Sequence, residues 1–320
     1  MPLSRQWKRR LFAAAAILAA PALAFATFDA LIAGGDASVS RPALVESLGR
    51  ASRAVGTVLS GAGERLRGAD GPSAPAPAAP PTEPSSTRIE ALVPERIMVP
   101  FLVYHNIEIP DEKVREADRP YYVTPSEFEG QMAALQSSGF VPVSPDDVAA
   151  ALRGEKPLPA KPVVITFDDD RESQFENAFP ALLRHRMTAT FYVFTNAIGR
   201  KGYLSWDQLR TLRDAGMGIQ SHTIFHPFLE KLGDEEMRKE IEDSRAVLEK
   251  ELGISVTSFA YPFGTHDDRV VAAVRAAGYA TARTLRHAPD VGLDDLFLLP
   301  GYIVTGDRAA FAKILAGAWR

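Results

Sequence analysis

The chain of 320 residues carries 36 Lys+Arg against 40 Asp+Glu, a net charge of −4, with 46% hydrophobic residues and no cysteine. That length leaves room for one or two domains with a sizeable core, and the charge excludes a basic nucleic-acid footprint. Without cysteine there is no disulfide staple, thiolate metal site, cysteine nucleophile or lipidated N-terminal cysteine. Any metal must be held by His, Asp and Glu.

In chain order, Arg5, Lys8, Arg9 and Arg10 precede an apolar run from Leu11 to Phe28, broken by Pro21 and Thr27. A basic start followed by such a run predicts export. Two readings of residues 1–34 stand. Small residues at Ala22-Leu23-Ala24 and Ala24-Phe25-Ala26 suit cleavage, while a run of about 18 residues sits at the lower limit for a spanning anchor. In the second case residues 11–28 tether the protein to the membrane with everything downstream facing outward. Removing residues 1–34 takes away four basic residues and one acid, leaving 32 Lys+Arg against 39 Asp+Glu.

Residues 35–96 read as a low-complexity linker. Within it, Leu44, Leu48, Val55 and Leu59 recur at near-helical spacing with arginines between them, which fits a membrane-surface helix or a weakly ordered spacer. Residues 71–86 contain six prolines and no large apolar side chain, so they predict an extended linker. The working domain is expected over 97–320.

From there, apolar β-branched runs at 99–104, 162–167, 188–194, 217–221, 256–261, 279–284 and 297–303 predict strands. The stretches between them, at 125–138, 172–186, 205–215, 232–252, 267–277 and 306–318, predict helices. The clearest is 232–252, with Met237, Ile241, Ser244, Leu248 and Leu252 on one face and charges opposite. Alternating βα units imply a mostly parallel sheet buried on both faces. About 220 residues with this many units suit an α/β barrel.

Polar residues follow the strands. His105 comes after the first, Asp168-Asp169-Asp170 after the second, His222 and His226 after the fourth, and Tyr261-Pro262-Phe263-Gly264 after the fifth. In an α/β barrel these strand ends converge on one mouth, where active sites form. Two histidines four apart plus one carboxylate make a common catalytic metal set. On its own, an H-x3-H pair is usually surface, and an acidic turn has a solvated helix cap as its alternative reading. Together they divide the labour: one Asp binds metal, and its neighbour, kept ionised by the cation, acts as base.

Thr166-Phe167-Asp168-Asp169, Ser221-His222-Thr223-x-x-His226-Pro227 and Phe259-Ala260-Tyr261-Pro262-Phe263-Gly264 resemble, in order and spacing, the NodB-type polysaccharide deacetylases. The opening Phe101-Leu102-Val103-Tyr104-His105-Asn106 resembles their circularly permuted poly-β-1,6-N-acetylglucosamine deacetylase branch. Tyr203-Leu204-Ser205-Trp206 and Leu299-Pro300-Gly301-Tyr302-Ile303-Val304 fit that branch as well. The resemblance covers about Val99 to Leu315 and implies a distorted (β/α)7 barrel and metal-dependent removal of N-acetyl groups from amino sugars. Carried over residue by residue, it makes Asp168 the general base, His105 the general acid and the backbone N–H of Phe263 an oxyanion donor. Asp169, His222 and His226 would hold the metal, with zinc the default for that donor set and cobalt or nickel as alternatives. Tyr261, Trp206 and Asp170 are expected to touch substrate.

Two departures stand out. The family usually has Gly after the aspartate pair, where this chain has Asp170, a residue that tolerates left-handed backbone better than most. The arginine that often steadies the base, at the start of the third motif, is replaced by Ala260, and Arg283 is a candidate to take its place. Of the other histidines, His185 reads as a surface residue, His266 as a helix cap and His287 as a loop residue. The expected function is an exported, metal-dependent N-deacetylase of an N-acetylated envelope or extracellular glycan, with no nucleic-acid partner. A deacylase of a small or lipid-linked acylamino sugar and a degenerate glycan-binding domain are the alternatives.

Overall fold

In the computed structural model, residues 94–288 and 290–317 are described. The export segment, the candidate helix at 44–66 and the proline-rich linker lie outside them. Among the described residues, no helix is long and apolar enough to cross a membrane.

The frame is a parallel sheet of seven short strands. They are β1 (Phe101–Tyr104), β2 (Pro162–Asp168), β3 (Thr190–Val193), β4 (Gly218–Ser221), β5 (Ser258–Ala260), β6 (Thr281–Arg283) and β7 (Tyr302–Ile303). Their spatial order is β6-β5-β4-β3-β2-β1-β7, and every pairing is parallel. β2 is buried at all seven positions, as a central parallel strand covered on both faces must be. The chain before β7 reaches the other edge of the sheet: Leu299 bridges Arg283, and Thr284 N–H donates to the Leu299 carbonyl at 2.9 Å. Leu299–Ile303 thus hydrogen-bonds to both ends of the sheet and curls it into a half-barrel, in line with the distorted (β/α)7 barrel that the resemblance implies.

The expected strand at 297–303 is therefore shorter than anticipated. Pro300 has no N–H to give a ladder, so the segment splits into a bridge at Leu299 and a pair at Tyr302–Ile303. Three small additions lie outside the expected pattern. Arg96–Met98 pairs antiparallel with Asp290–Gly292, Asn106–Ile107 pairs with Tyr122–Val123, and Val141–Pro142 extends alongside β2. Arg96 clamps the first pair by contacting Asp290 at 2.8 Å and Asp295 at 2.9 Å.

Helices α1 (Pro125–Ser137), α2 (Pro145–Leu152), α3 (Phe179–Arg184), α4 (Trp206–Asp214), α5 (Asp234–Leu252), α6 (Asp268–Ala276) and α7 (Arg308–Leu315) alternate with the strands. Thr124 with Glu127, Ser144 with Asp147, and Ser205 with Gln208 form reciprocal capping boxes at α1, α2 and α4. These fix where each helix starts. Helix α2 was missed in the strand-and-helix reading, although Ser144-Pro145-Asp146-Asp147 carries its cap and its N1 proline. The expected helical stretch 172–186 contains a π-helical turn over Gln174–Ala178 before α3. Helix α5 buries Met237, Ile241, Ser244, Leu248 and Leu252, the face its periodicity predicts. It stops at Gly253 in the left-handed region, φ 63°.

Candidate active site

The strand ends deliver the chemistry to one cleft of about 390 Å³, lined among others by His105, Tyr121, Asp168, Asp169, Arg171, His222, His226, Tyr261 and Phe263. The backbone reverses sharply in the turns around it. Asp169 (φ 71°), Asp170 (φ 38°), Thr223 (φ 74°), His226 (φ 56°) and Phe263 (φ 60°) all take positive φ without being glycine. Such residues cost of order 1–3 kcal/mol each and persist where the surrounding fold over-determines them.

Asp168 closes β2, buried. Arg283 at the end of β6 puts Nη2 2.5 Å from both of its carboxylate oxygens. Arg283 is itself buried, lies over the Tyr192 ring and donates through Nη1 to the Thr284 carbonyl. Its register partner on β5 is Ala260, the position where the resemblance would have placed an arginine. The guanidinium that reaches Asp168 thus comes from the strand beside Ala260. Gly301 makes room for it: a Cβ there would lie 2.9 Å from Arg283 Nη1 and 2.4 Å from the Thr284 carbonyl oxygen.

His105 Nε2 stands 4.0 Å from Asp168 Oδ2, and its ring meets Tyr121 edge-on at 4.8 Å. Burial lowers its pKa, opposed by the nearby Asp168 and Asp169 charges. Gln174, on the π-helical turn, donates through Nε2 to the carbonyls of both His105 (2.8 Å) and Asp168 (2.6 Å). It ties the ends of β1 and β2 together, and it was missed because one glutamine in a helical pattern carries no motif. Single π-turns inside helices often sit at functional sites for this reason.

His222, buried, donates Nδ1–H to the Ala260 carbonyl at 2.7 Å, which leaves the Nε2 lone pair facing the cleft. His226 Nε2 lies 3.1 Å from it. Asp169 Oδ1 lies 3.8 Å from His222 Nε2 and 3.5 Å from His226 Nε2. A tetrahedral zinc with bonds near 2.05 Å spaces its nitrogen ligands about 3.3 Å apart, so this trio fits a small divalent cation. Among the described residues these three form the candidate metal cluster. Glu240 on α5 supports the loop that carries both histidines, accepting from the N–H groups of Ile224 (2.8 Å) and Phe225 (2.9 Å). It too was missed, hidden among the charges of α5.

Burial, and then repulsion from His222, lowers His226 to about 4, and burial lowers His222 as well. For Asp169, burial acts upward, but His105, His222, His226 and Arg171 outweigh it and hold the carboxyl below its ordinary value. The trio is thus ready to bind metal at neutral pH: two neutral imidazoles and one carboxylate. The same shifts set an acid limit. An unfolded histidine titrates near 6.5, so below that pH the unfolded chain takes up protons that the folded one refuses. The histidines' contribution to the stability of the metal-stripped protein is therefore full above about pH 6.5 and falls as the pH drops toward 4, by about 1.4 kcal/mol per pH unit for each refused proton. Urea midpoints at pH 7 and pH 5 check this, with His226→Gln expected to reduce the difference; equal wild-type midpoints would contradict it.

The structure does not bring all the expected residues together. Tyr261 lines the cleft, but its hydroxyl donates to the Phe297 carbonyl at 3.1 Å. Trp206 is partly buried against the core at the start of α4 and is not part of the cleft wall. Asp170 is fully buried, its Oδ1 accepting from Phe194 N–H at 3.3 Å. Its side chain points into the protein, so it replaces the usual glycine as a strut rather than as a substrate contact. Burial pushes its pKa well above the ordinary value. His266 stacks on Tyr261 at 5.1 Å, whereas Asp267 supplies the cap of α6. His185 pairs with Glu129 at 2.7 Å on the surface, and His287 stacks on Tyr302.

Residues 155–282 match the family profile of the polysaccharide deacetylases. The chain is 29% identical over 181 residues to the YxkH protein of Bacillus subtilis, covering 57% of this chain and 62% of that protein. It is 27% identical over 203 residues to the poly-β-1,6-N-acetyl-D-glucosamine N-deacetylase of Staphylococcus epidermidis, covering 58% and 69%. Against the Escherichia coli K12 enzyme of the same name, identity is 34% over 137 residues, which is 20% of that protein. Among solved structures, the deacetylase PplD of Streptococcus pyogenes in complex with acetate superposes with TM-score 0.64 at 25% identity, covering 69% of this chain and 98% of PplD. IcaB from Ammonifex degensii superposes with TM-score 0.60 at 25% identity, covering 69% and 97%. With the motifs on the strand ends where such a site needs them, residues 155–282 match the polysaccharide deacetylase model and the chain is similar to these deacetylases over roughly two thirds of its length.

Proposed function

We propose that the protein is an exported, metal-dependent hydrolase that removes N-acetyl groups from N-acetylhexosamine units of an envelope or extracellular polysaccharide. The observation that carries this reading is the convergence on one cleft of a buried, arginine-held carboxylate, a histidine 4.0 Å from it and an Asp/His/His cluster. The basic and then apolar residues 1–28 support export, as a cleaved signal or a retained tether. The relatives named for poly-β-1,6-N-acetyl-D-glucosamine support the substrate class.

Asp169, His222 and His226 would hold the cation, zinc by donor chemistry with cobalt and nickel as alternatives. When bound, it supplies polarisation of the amide carbonyl and acidification of water. The chain's own groups do the rest. Asp168, fixed by Arg283, takes the proton of the attacking water. The Phe263 N–H, turned by its left-handed backbone, donates to the carbonyl oxygen as that oxygen gains charge. His105, 4.0 Å from Asp168, gives a proton to the departing amine. Burial lowers its pKa and the Asp168 and Asp169 charges oppose that shift, so the carboxylates beside it favour its protonated form.

The test is acetate release from N-acetylated β-1,6-glucosamine oligomers by the zinc-loaded full chain, with and without chelator. Release that chelator stops and zinc restores is expected. Release confined to small or lipid-linked acylamino sugars selects the narrower deacylase, and glycan binding without release selects a degenerate binding domain.

A further inference from the structure

Arg171 stands where its charge is unwelcome. A guanidinium beside a cation site repels the cation, by Coulomb's law at any plausible dielectric, yet Nη2 of Arg171 lies 3.4 Å from Asp169 Oδ2. It is held there from behind. Nη1 donates to the Tyr203 hydroxyl at 3.0 Å, and the guanidinium lies over the Tyr203 ring at 4.8 Å. The backbone is laced at the same place. Arg171 and Tyr203 form an antiparallel bridge, Glu172 N–H donates to the Gly202 carbonyl, and Leu204 N–H donates to the Asp170 carbonyl. Tyr203 in turn meets Phe194 edge-on, and Phe194 packs against His226.

The two Asp169 oxygens therefore have separate duties. Oδ1 faces both imidazoles, while Oδ2 faces Arg171. Among the described residues, no other group donates a hydrogen bond to Asp169. We infer that Arg171, braced by Tyr203, is a positioning residue that holds Oδ2 so that Oδ1 stays aimed at His222 and His226. The inference rests on the reading of that trio as a metal site. Partners of this kind typically change metal affinity 10–100-fold when removed, and here positioning must outweigh the repulsion.

The readout is zinc affinity of the metal-stripped full chain, by competition with a chromophoric chelator, beside thermal melting of the same samples. Arg171→Met is expected to bind zinc about 10–100-fold more weakly with unchanged melting of the metal-free protein. Arg171→Lys keeps the charge but loses the fork and the seat on Tyr203, and it is expected to lose most of the same affinity. Tyr203→Phe removes one hydroxyl and is expected to cost about fivefold, the worth of a single hydrogen bond. It also tests the brace if Arg171→Met fails to fold. Zinc binding by Arg171→Met at or above wild-type affinity overturns the inference, because repulsion is then the larger effect. Wild-type affinity in both Arg171→Lys and Tyr203→Phe overturns it as well. Failure of the wild-type chain to bind zinc instead removes the metal reading itself.

Discussion

Asp168→Asn is expected to lower deacetylation by at least 10²–10⁴-fold, the usual worth of a positioned general base, while zinc remains bound. Asparagine keeps the shape of the side chain, and its carbonyl oxygen still accepts from Arg283. It cannot take a proton from water. Zinc is retained because the cluster uses the neighbouring Asp169 together with His222 and His226. The adjacent Asp170→Asn is the matched control. Asp170 is buried and faces Phe194 rather than the cleft, so its amide is expected to leave most of the turnover intact. Initial rates and zinc content, measured together on the two variants, decide the assignment. More than a tenth of wild-type turnover in Asp168→Asn would remove Asp168 as the base.

Much of this site is legible in the sequence because the chemistry sits at strand ends. The buried strands identify themselves by β-branched runs, and a parallel sheet brings residues separated by more than a hundred positions to one edge. His105, Asp168, His222 and Phe263 thus become neighbours without any local signal linking them. Arg283 is legible only as a candidate, since its pairing depends on β6 lying beside β5, which no spacing in the chain reveals. The struts are harder. Gln174, Glu240 and Arg171 are common polar residues in helical or turn contexts, and their roles come from a π-helical turn, a helix packed on a loop and a backbone bridge. The substrate-facing expectations suffer the opposite problem. Trp206 and Asp170 have the chemistry to touch a sugar, but Trp206 is taken up by core packing and Asp170 by the need to satisfy a backbone N–H. Residue type sets what a side chain can do; burial decides what it does.

Removing the arginine is expected to cost both folding and turnover. Arg283 and Asp168 are buried together, with side chains 1% and 5% exposed. Breaking such a pair from one side leaves an uncompensated charge, typically worth 3–5 kcal/mol. Arg283→Met is therefore expected to lower stability by about that amount, read as a shift in urea midpoint at neutral pH. It is also expected to lose most turnover, since the carboxylate must then protonate or rotate to survive its burial. The double variant Asp168→Asn/Arg283→Met separates the two effects. It carries no buried charge at this position, so it is expected to regain much of the lost stability, because neutral replacements of buried ion pairs are often well tolerated. Turnover stays lost, because the base is gone. The coupling energy from this cycle measures the pair itself. Additive losses, with the double variant less stable than either single one, would show that Arg283 contributes through packing against Tyr192 and Gly301 rather than through its charge. In that case the charge of Arg283 would not be what holds Asp168, which would have to be oriented by His105 and the backbone alone.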